Sequence, residues 1–194
     1  GLMINGPEDF PIHEKNSSEL PDPVAHYRMD ERSGTTIRDS SGNGYHGTVN
    51  GISGSSFLKR GHDGRVGSAV GFDGTDDYID MGHISAFNFV KTDSYSGCMW
   101  IKVPTDVLTN SYSHFPLFGQ FNTSTVKGWD WWLDSFTDIS WMMRSGSYST
   151  PNSFKVFAPP MVFKTGKWNH IAFSYSGSSS PNVNNINIYY NGVK

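Results

Sequence analysis

The residues with the most legible chemistry lie in the run WDWWLD at Trp129 to Asp134. Side chains alternate faces along a strand, so Trp129, Trp131 and Leu133 form a uniformly apolar set, while Asp130, Trp132 and Asp134 share the other face. An indole between two carboxylates suits a saccharide, because pyranose C–H faces stack on the ring and the acids accept hydroxyl hydrogen bonds. The structural alternative is that Trp132 is simply covered by a loop or a second layer. The same sorting of Ile186 to Tyr190 sends Ile186, Ile188 and Tyr190 to the core and leaves Asn187 and Tyr189 opposite. That amide and phenol suit glycan contact or, more plainly, a solvated sheet surface. The candidate glycan-binding set is therefore Trp132, Asp130, Asp134, Asn187 and Tyr189.

Acidic and amide residues gather in three turns, at Asp30 and Glu31, Asp39 to Asn43, and Asp73 to Asp77. Calcium takes six to eight oxygens, which loops supply from carboxylates, amide side chains and backbone carbonyls. In DSSGNG, Asp39 and Asn43 stand on a glycine-permitted turn and are the candidate ligands of a structural calcium, the one cofactor the sequence suggests. Asx turns made by the same two residues need no metal. Asp76, Asp77 and Asp80 read as turn and edge charges. The histidines are scattered, without HExxH or zinc spacing, and His170 reads as a framework residue.

The elements that must position these residues are strands. Hydrophobic residues at 36%, charged residues at 17%, 21 glycines and 10 prolines indicate many short strands joined by turns. Strands are predicted over Val24–Met29, Ala69–Phe72, Tyr78–Met81, Tyr95–Val103, Phe115–Gln120, Trp129–Leu133, Ile139–Arg144, Phe154–Phe157, Asn169–Tyr175 and Ile186–Tyr190. Parity turns Ile139, Trp141 and Met143 inward with Ile171, Phe173 and Tyr175, and turns Ser140, Met142 and Arg144 outward. Asn50–Arg65 and Gly177–Asn185 read as long loops. Residues 1–22, with Pro7, Pro11 and Pro21, read as an extended arm or linker that other chains of an assembly could hold. Asn191-Gly192 signals a tight hairpin.

Composition also narrows the partners. A net charge of -3 supplies no cationic footprint, so neither nucleic acid nor an anionic membrane is expected. No run of about 18 apolar residues occurs, so no membrane-spanning helix is predicted. Cys98 is the single cysteine and has no internal disulfide partner.

Three segments in order, VAHYRMDERSGTTIRDSSGNGYHG (Val24–Gly47), GRVGSAVGFDGTDDYIDMG (Gly64–Gly82) and WNHIAFSYSG followed by INIYYNG (Trp168–Gly192), resemble the laminin G-like jelly roll of the concanavalin A-like lectin and glucanase superfamily. The resemblance implies an all-β fold, a two-sheet antiparallel β-sandwich over residues 23–194 that lacks its last strands in this chain. It implies a structural role for Trp100 and Trp168, and a calcium loop at the position of Asp39 and Asn43, whose late acidic partner has no counterpart here. Related glucanases place paired acids, often as ExDxxE, about the scissile bond. That motif, the sialidase Asp-box and the nucleophile elbow are absent, so no catalytic residue is assigned. The reading that follows is a non-catalytic carbohydrate-binding or adhesion module, recognising glycan or polysaccharide at an extracellular, cell-surface or virion-surface location. The alternative is a structural or decoration domain of a large assembly, such as a phage virion or a bacterial surface layer.

Overall fold

The computed structural model describes residues 3–5, 21–51, 59–104, 114–122, 124, 127–134, 138–145, 154–157 and 164–194. The strands in chain order are β1 (Met3–Asn5), β2 (Thr36–Ile37), β3 (Gly47–Asn50), β4 (Lys59–Asp63), β5 (Ser68–Gly71), β6 (Tyr78–Asp80), β7 (Tyr95–Lys102), β8 (His114–Asn122), β9 (Lys127–Asp134), β10 (Asp138–Ser145), β11 (Phe154–Phe157), β12 (Trp168–Tyr175) and β13 (Ile186–Tyr190). The chain is all-β. It forms two compact units, Gly1–Ile84 with Met99–Val103, and Ser85–Cys98 with Pro104–Lys194, so β7 gives its second half to the first and its first half to the second.

In the first unit β1 runs antiparallel to both neighbours, with Ile4 opposite Val70 of β5 and Ile101 of β7. β4 completes this side against β5, with a bulge between Arg60 and His62. The short residues Ser68, Ala69, Val70 and Gly71 let β5 be buried on both faces. A small three-stranded sheet, in the order β2-β3-β6, stands apart from it. Met29, Ile37 and Val70 form the core here, with Tyr27, Val49, Phe72 and Ile79 packed on it.

The second unit is a sandwich in itself. β8 to β11 form a meander in which each strand pairs with the next, and β12 and β13 form a hairpin. The odd-numbered residues of β9 and β10 meet those of β12: Trp131 lies 4.9 Å from Phe173 edge-on, and Trp141 stacks 5.0 Å from Tyr175. Phe89 and Tyr95 stack at 3.9 Å and continue the layer to Trp129. The indole N–H of Trp129 donates to the Phe87 carbonyl at 2.8 Å, so the ring is buried without an orphaned donor. Gly97 admits the Phe173 ring, since a Cβ there would sit 2.9 Å from it.

Three expectations need correction. Val24–Met29 is not a strand: it makes one bridge, Tyr27 to Asp39, and Met29 takes φ 60, which breaks strand geometry. The segment Asn50–Arg65 contains β4, while residues 52–58 lie outside the described residues. Within residues 1–22, Met3–Asn5 is the central strand β1, paired on both sides. The Asn191-Gly192 turn forms as expected, with φ 48 and 82, and returns Val193 to bridge Tyr190.

Candidate functional site

Paired residues on adjacent strands share a face, so the register of β8, β9 and β10 builds the candidate site row by row. Trp132 stands opposite Ser140 and Pro116, Asp130 opposite Met142 and Gly119, and Gly128 opposite Arg144 and Phe121. This is the face turned away from the aromatic core. Parity turns Ser140, Met142 and Arg144 outward onto this face, and the sequence allows it either to be open or to be covered by a loop or second layer. All three are buried, as is Asp130, and Trp132 is half-buried. Polarity alternation alone does not separate an exposed face from an enclosed one, because an enclosed face keeps polar residues wherever partners compensate them.

The enclosed set is chemically mixed. Ser140 is 0% exposed, Asp130 6% and Arg144 7%. Arg144 sits diagonally across the ladder from Asp130, the relation in which long side chains reach one another, so a buried cation and a buried anion face the same space. The Arg144 guanidinium lies 4.8 Å over the Phe121 ring, and its Nε donates to the Met142 sulfur. Among the described residues the Ser140 hydroxyl has no protein partner. Gly119 keeps this floor low, since a Cβ there would fall 2.9 Å from the Asp130 Cβ. Asp134 ends β9 opposite Asp138 and His114; its side chain lies outside the described residues.

Asn187 and Tyr189 occupy the opposite side of the unit. Phe173 pairs with Ile188 on the inner face, so the intervening Asn187 and Tyr189 point outward from the other layer. Both are half-buried, and the Asn187 amide donates to the Ser174 hydroxyl at 3.3 Å. The fold therefore brings Trp132 and Asp130 together with Ser140 and Arg144, and does not join them to Asn187 and Tyr189. Sequence reasoning missed Ser140 and Arg144 as site residues, although their parity with Trp132 was visible.

Asp39 is a clip in the first unit. Its Oδ1 accepts from the backbone N–H groups of His26 and Ser41, both at 2.9 Å, and its Oδ2 accepts from the Ser41 hydroxyl at 2.8 Å and the Tyr45 N–H at 3.0 Å. The Asn43 amide donates to the Val24 carbonyl at 3.0 Å. Burial pushes the Asp39 carboxyl up, but these hydrogen bonds outweigh it and hold the group below the usual carboxylate range. The Tyr27 hydroxyl is pushed well up by burial and by the Asp39 charge, and it donates to the Tyr45 carbonyl at 2.6 Å. Four protein donors occupy the Asp39 oxygens, so this donor set fits an Asx-type turn and not a cation shell of six to eight oxygens. Asp73, Asp76 and Asp77 converge, with ligand atoms within 4.8 Å, on a turn where the Asp73 N–H donates to Asp77 Oδ2 and the Thr75 N–H to Asp73 Oδ1.

With this geometry in hand, comparison with known proteins is informative about ancestry. A family model described as the concanavalin A-like lectin/glucanases superfamily, of laminin G type, matches residues 73–194. The chain belongs to this superfamily. The match takes in β6 to β13 and hence both candidate glycan surfaces. No curated protein matches the chain. A solved structure similar to it is that of an S-layer domain-containing protein from Clostridium thermocellum, 22% identical, covering 88% of this chain and 70% of that one at a TM-score of 0.48.

Proposed function

We propose that this chain is a non-catalytic carbohydrate-binding or adhesion module, acting on glycan at a cell, virion or other extracellular surface. The observation that carries the reading is the half-buried Trp132 on one face with Asp130, Ser140 and Arg144. The partly exposed indole is the part of this face that a sugar ring can reach, its apolar face stacking on the ring, while Asp130, Ser140 and Arg144 lie enclosed on the same face. Membership of a superfamily named for lectins and glucanases supports saccharide as the ligand class.

Binding is favoured over hydrolysis by spacing. Asp130 and Asp134 are four residues apart on one strand, about 13 Å of backbone, whereas glycosidase carboxyl pairs stand about 5–9.5 Å apart. Asp130 is also buried and lies diagonal to a guanidinium, which keeps its carboxyl from reaching a glycosidic bond.

The test is affinity electrophoresis across plant, bacterial and host polysaccharides, followed by an array. Trp132→Ala should weaken retention by about tenfold, near 1.4 kcal/mol, while the urea midpoint stays within error of the parent. Retention of the parent by no glycan, or equal retention of parent and variant, would reject the site. Reducing ends released from a bound polysaccharide would reject the non-catalytic assignment. Because the Asp39 oxygens are filled, chelator should leave binding at the Trp132 face unchanged. An independent second surface at Asn187 and Tyr189 would show as residual retention lost only in the Asn187→Ala/Tyr189→Ala double variant.

A structural role in a larger assembly is the second reading. It is favoured by β1, which places the N-terminal segment in a slot of the sheet.

A further inference from the structure

We propose that the slot between β5 and the second half of β7 is a strand-acceptor site whose occupant, where copies are crowded, is residues 3–5 of a second copy of this chain. The slot is antiparallel on both sides, and its register is set by Met3 opposite Gly71 and Lys102, Ile4 opposite Val70 and Ile101, and Asn5 opposite Trp100. Val70 and Ile101 are fully buried, so the central position of the occupant must be apolar. The sequence Met-Ile-Asn meets that need, and the same segment of a second copy offers an identical strand.

Three features make the segment exchangeable. β1 is three residues long, so little must be broken to withdraw it, yet withdrawal opens two inner edges whose unpaired backbone groups demand a strand. Residues 6–22 join it to the rest of the unit, and Pro7, Pro11 and Pro21 deny that segment the N–H groups needed to lengthen the strand. Fully extended, this stretch reaches roughly 55 Å, more than the roughly 30 Å across a compact body the size of the first unit. A neighbour's slot is therefore within reach.

The ladder formed is the same whether the donor is internal or external, so concentration decides between them. A tethered segment competes at an effective concentration in the millimolar range. Dilute protein is then closed on itself, and copies held at comparable density exchange strands. Reciprocal exchange closes a dimer, whereas head-to-tail exchange propagates.

The experiment uses Met3→Cys with Lys102→Cys in a Cys98→Ser background, with Lys102→Cys/Cys98→Ser as control. Paired positions in an antiparallel ladder lie within disulfide range. Each protein is unfolded and refolded at ~10 μM or ~1 mM, below and near the tether's effective concentration, then oxidised and run without reductant. The expected result is an internally linked monomer at the lower concentration and a covalent dimer or ladder at the higher one, absent in the control. Internally linked monomer at both concentrations overturns the exchange, and absence of any link overturns the slot. If the double variant does not fold, sedimentation of the unsubstituted chain refolded at the higher concentration decides. A dimer that survives dilution and is lost on deleting residues 1–5 supports the proposal, and a monomer overturns it.

Discussion

At the scale of single residues, the lowered pKa values of Asp39 and His170 couple stability to pH. Asp39→Asn replaces one acceptor oxygen with an amide facing protein donors, and should cost about 3 kcal/mol in urea unfolding. Because the folded-state pKa of Asp39 is lowered, its contribution is present above the unfolded value near 3.9 and is lost as pH falls through the folded one. The Asp39→Asn variant should therefore show a shallower stability loss below pH 4 than the parent. His170 is buried, and burial lowers its pKa. The unfolded chain then binds the proton first, so stability falls as pH drops below about 6.5, at up to about 1.4 kcal/mol per unit for one proton. His170→Gln should flatten the urea midpoint between pH 5 and 7; an unchanged slope would remove His170 as its source. Met29 carries the residue-scale feature that no periodicity shows, a positive φ on a buried side chain.

At the scale of elements, glycines divide into those needed for conformation alone and those needed for close approach. Gly128 in β9 has φ 131, and a Cβ there would meet the Gln120 carbonyl oxygen of β8 at 2.1 Å. Gly128→Ala should cost about 3 kcal/mol or more, through both strain and overpacking. Gly44 has φ 77 but open space around it, so Gly44→Ala should cost only about 1–2 kcal/mol. Comparable losses in the two variants would mean that β8 and β9 can separate at this point without consequence for the sheet. The strands legible in the sequence are runs rich in apolar, β-branched or aromatic residues between turn signals: β5 to β13 each fall within a few residues of their expected positions. β1 to β4 were not legible, because runs such as MIN, TI and KRGHD are too short or too polar for a period to show. β1 and β3 take partners distant in sequence, with β5 and β7 flanking β1 and β6 pairing with β3, while β2 and β4 pair with the next strand in the chain.

At the scale of the whole molecule, the aromatic core and the proposed glycan site lie on opposite faces of the same strands. Trp131→Ala removes an indole packed against Phe173 and should cost about 3–5 kcal/mol, while its neighbour Trp132 should affect binding with little effect on folding. A calorimetric scan of the two alanine variants checks this, and equal destabilisation would place Trp132 in the core. Strand parity alone determined the apolar interior of the second unit, because alternation is a property of the backbone and survives any arrangement of layers. The superfamily, too, was legible from Gly, Asp and aromatic residues at turn and strand positions. What only tertiary structure decided is what each outer face meets. Enclosure of Asp130, Ser140, Met142 and Arg144, separation of Asn187 and Tyr189 from Trp132 and insertion of β1 all depend on contacts between residues far apart in the chain. Such contacts leave no local period, so the order of residues could name the candidate side chains but not the surroundings that give them their chemistry.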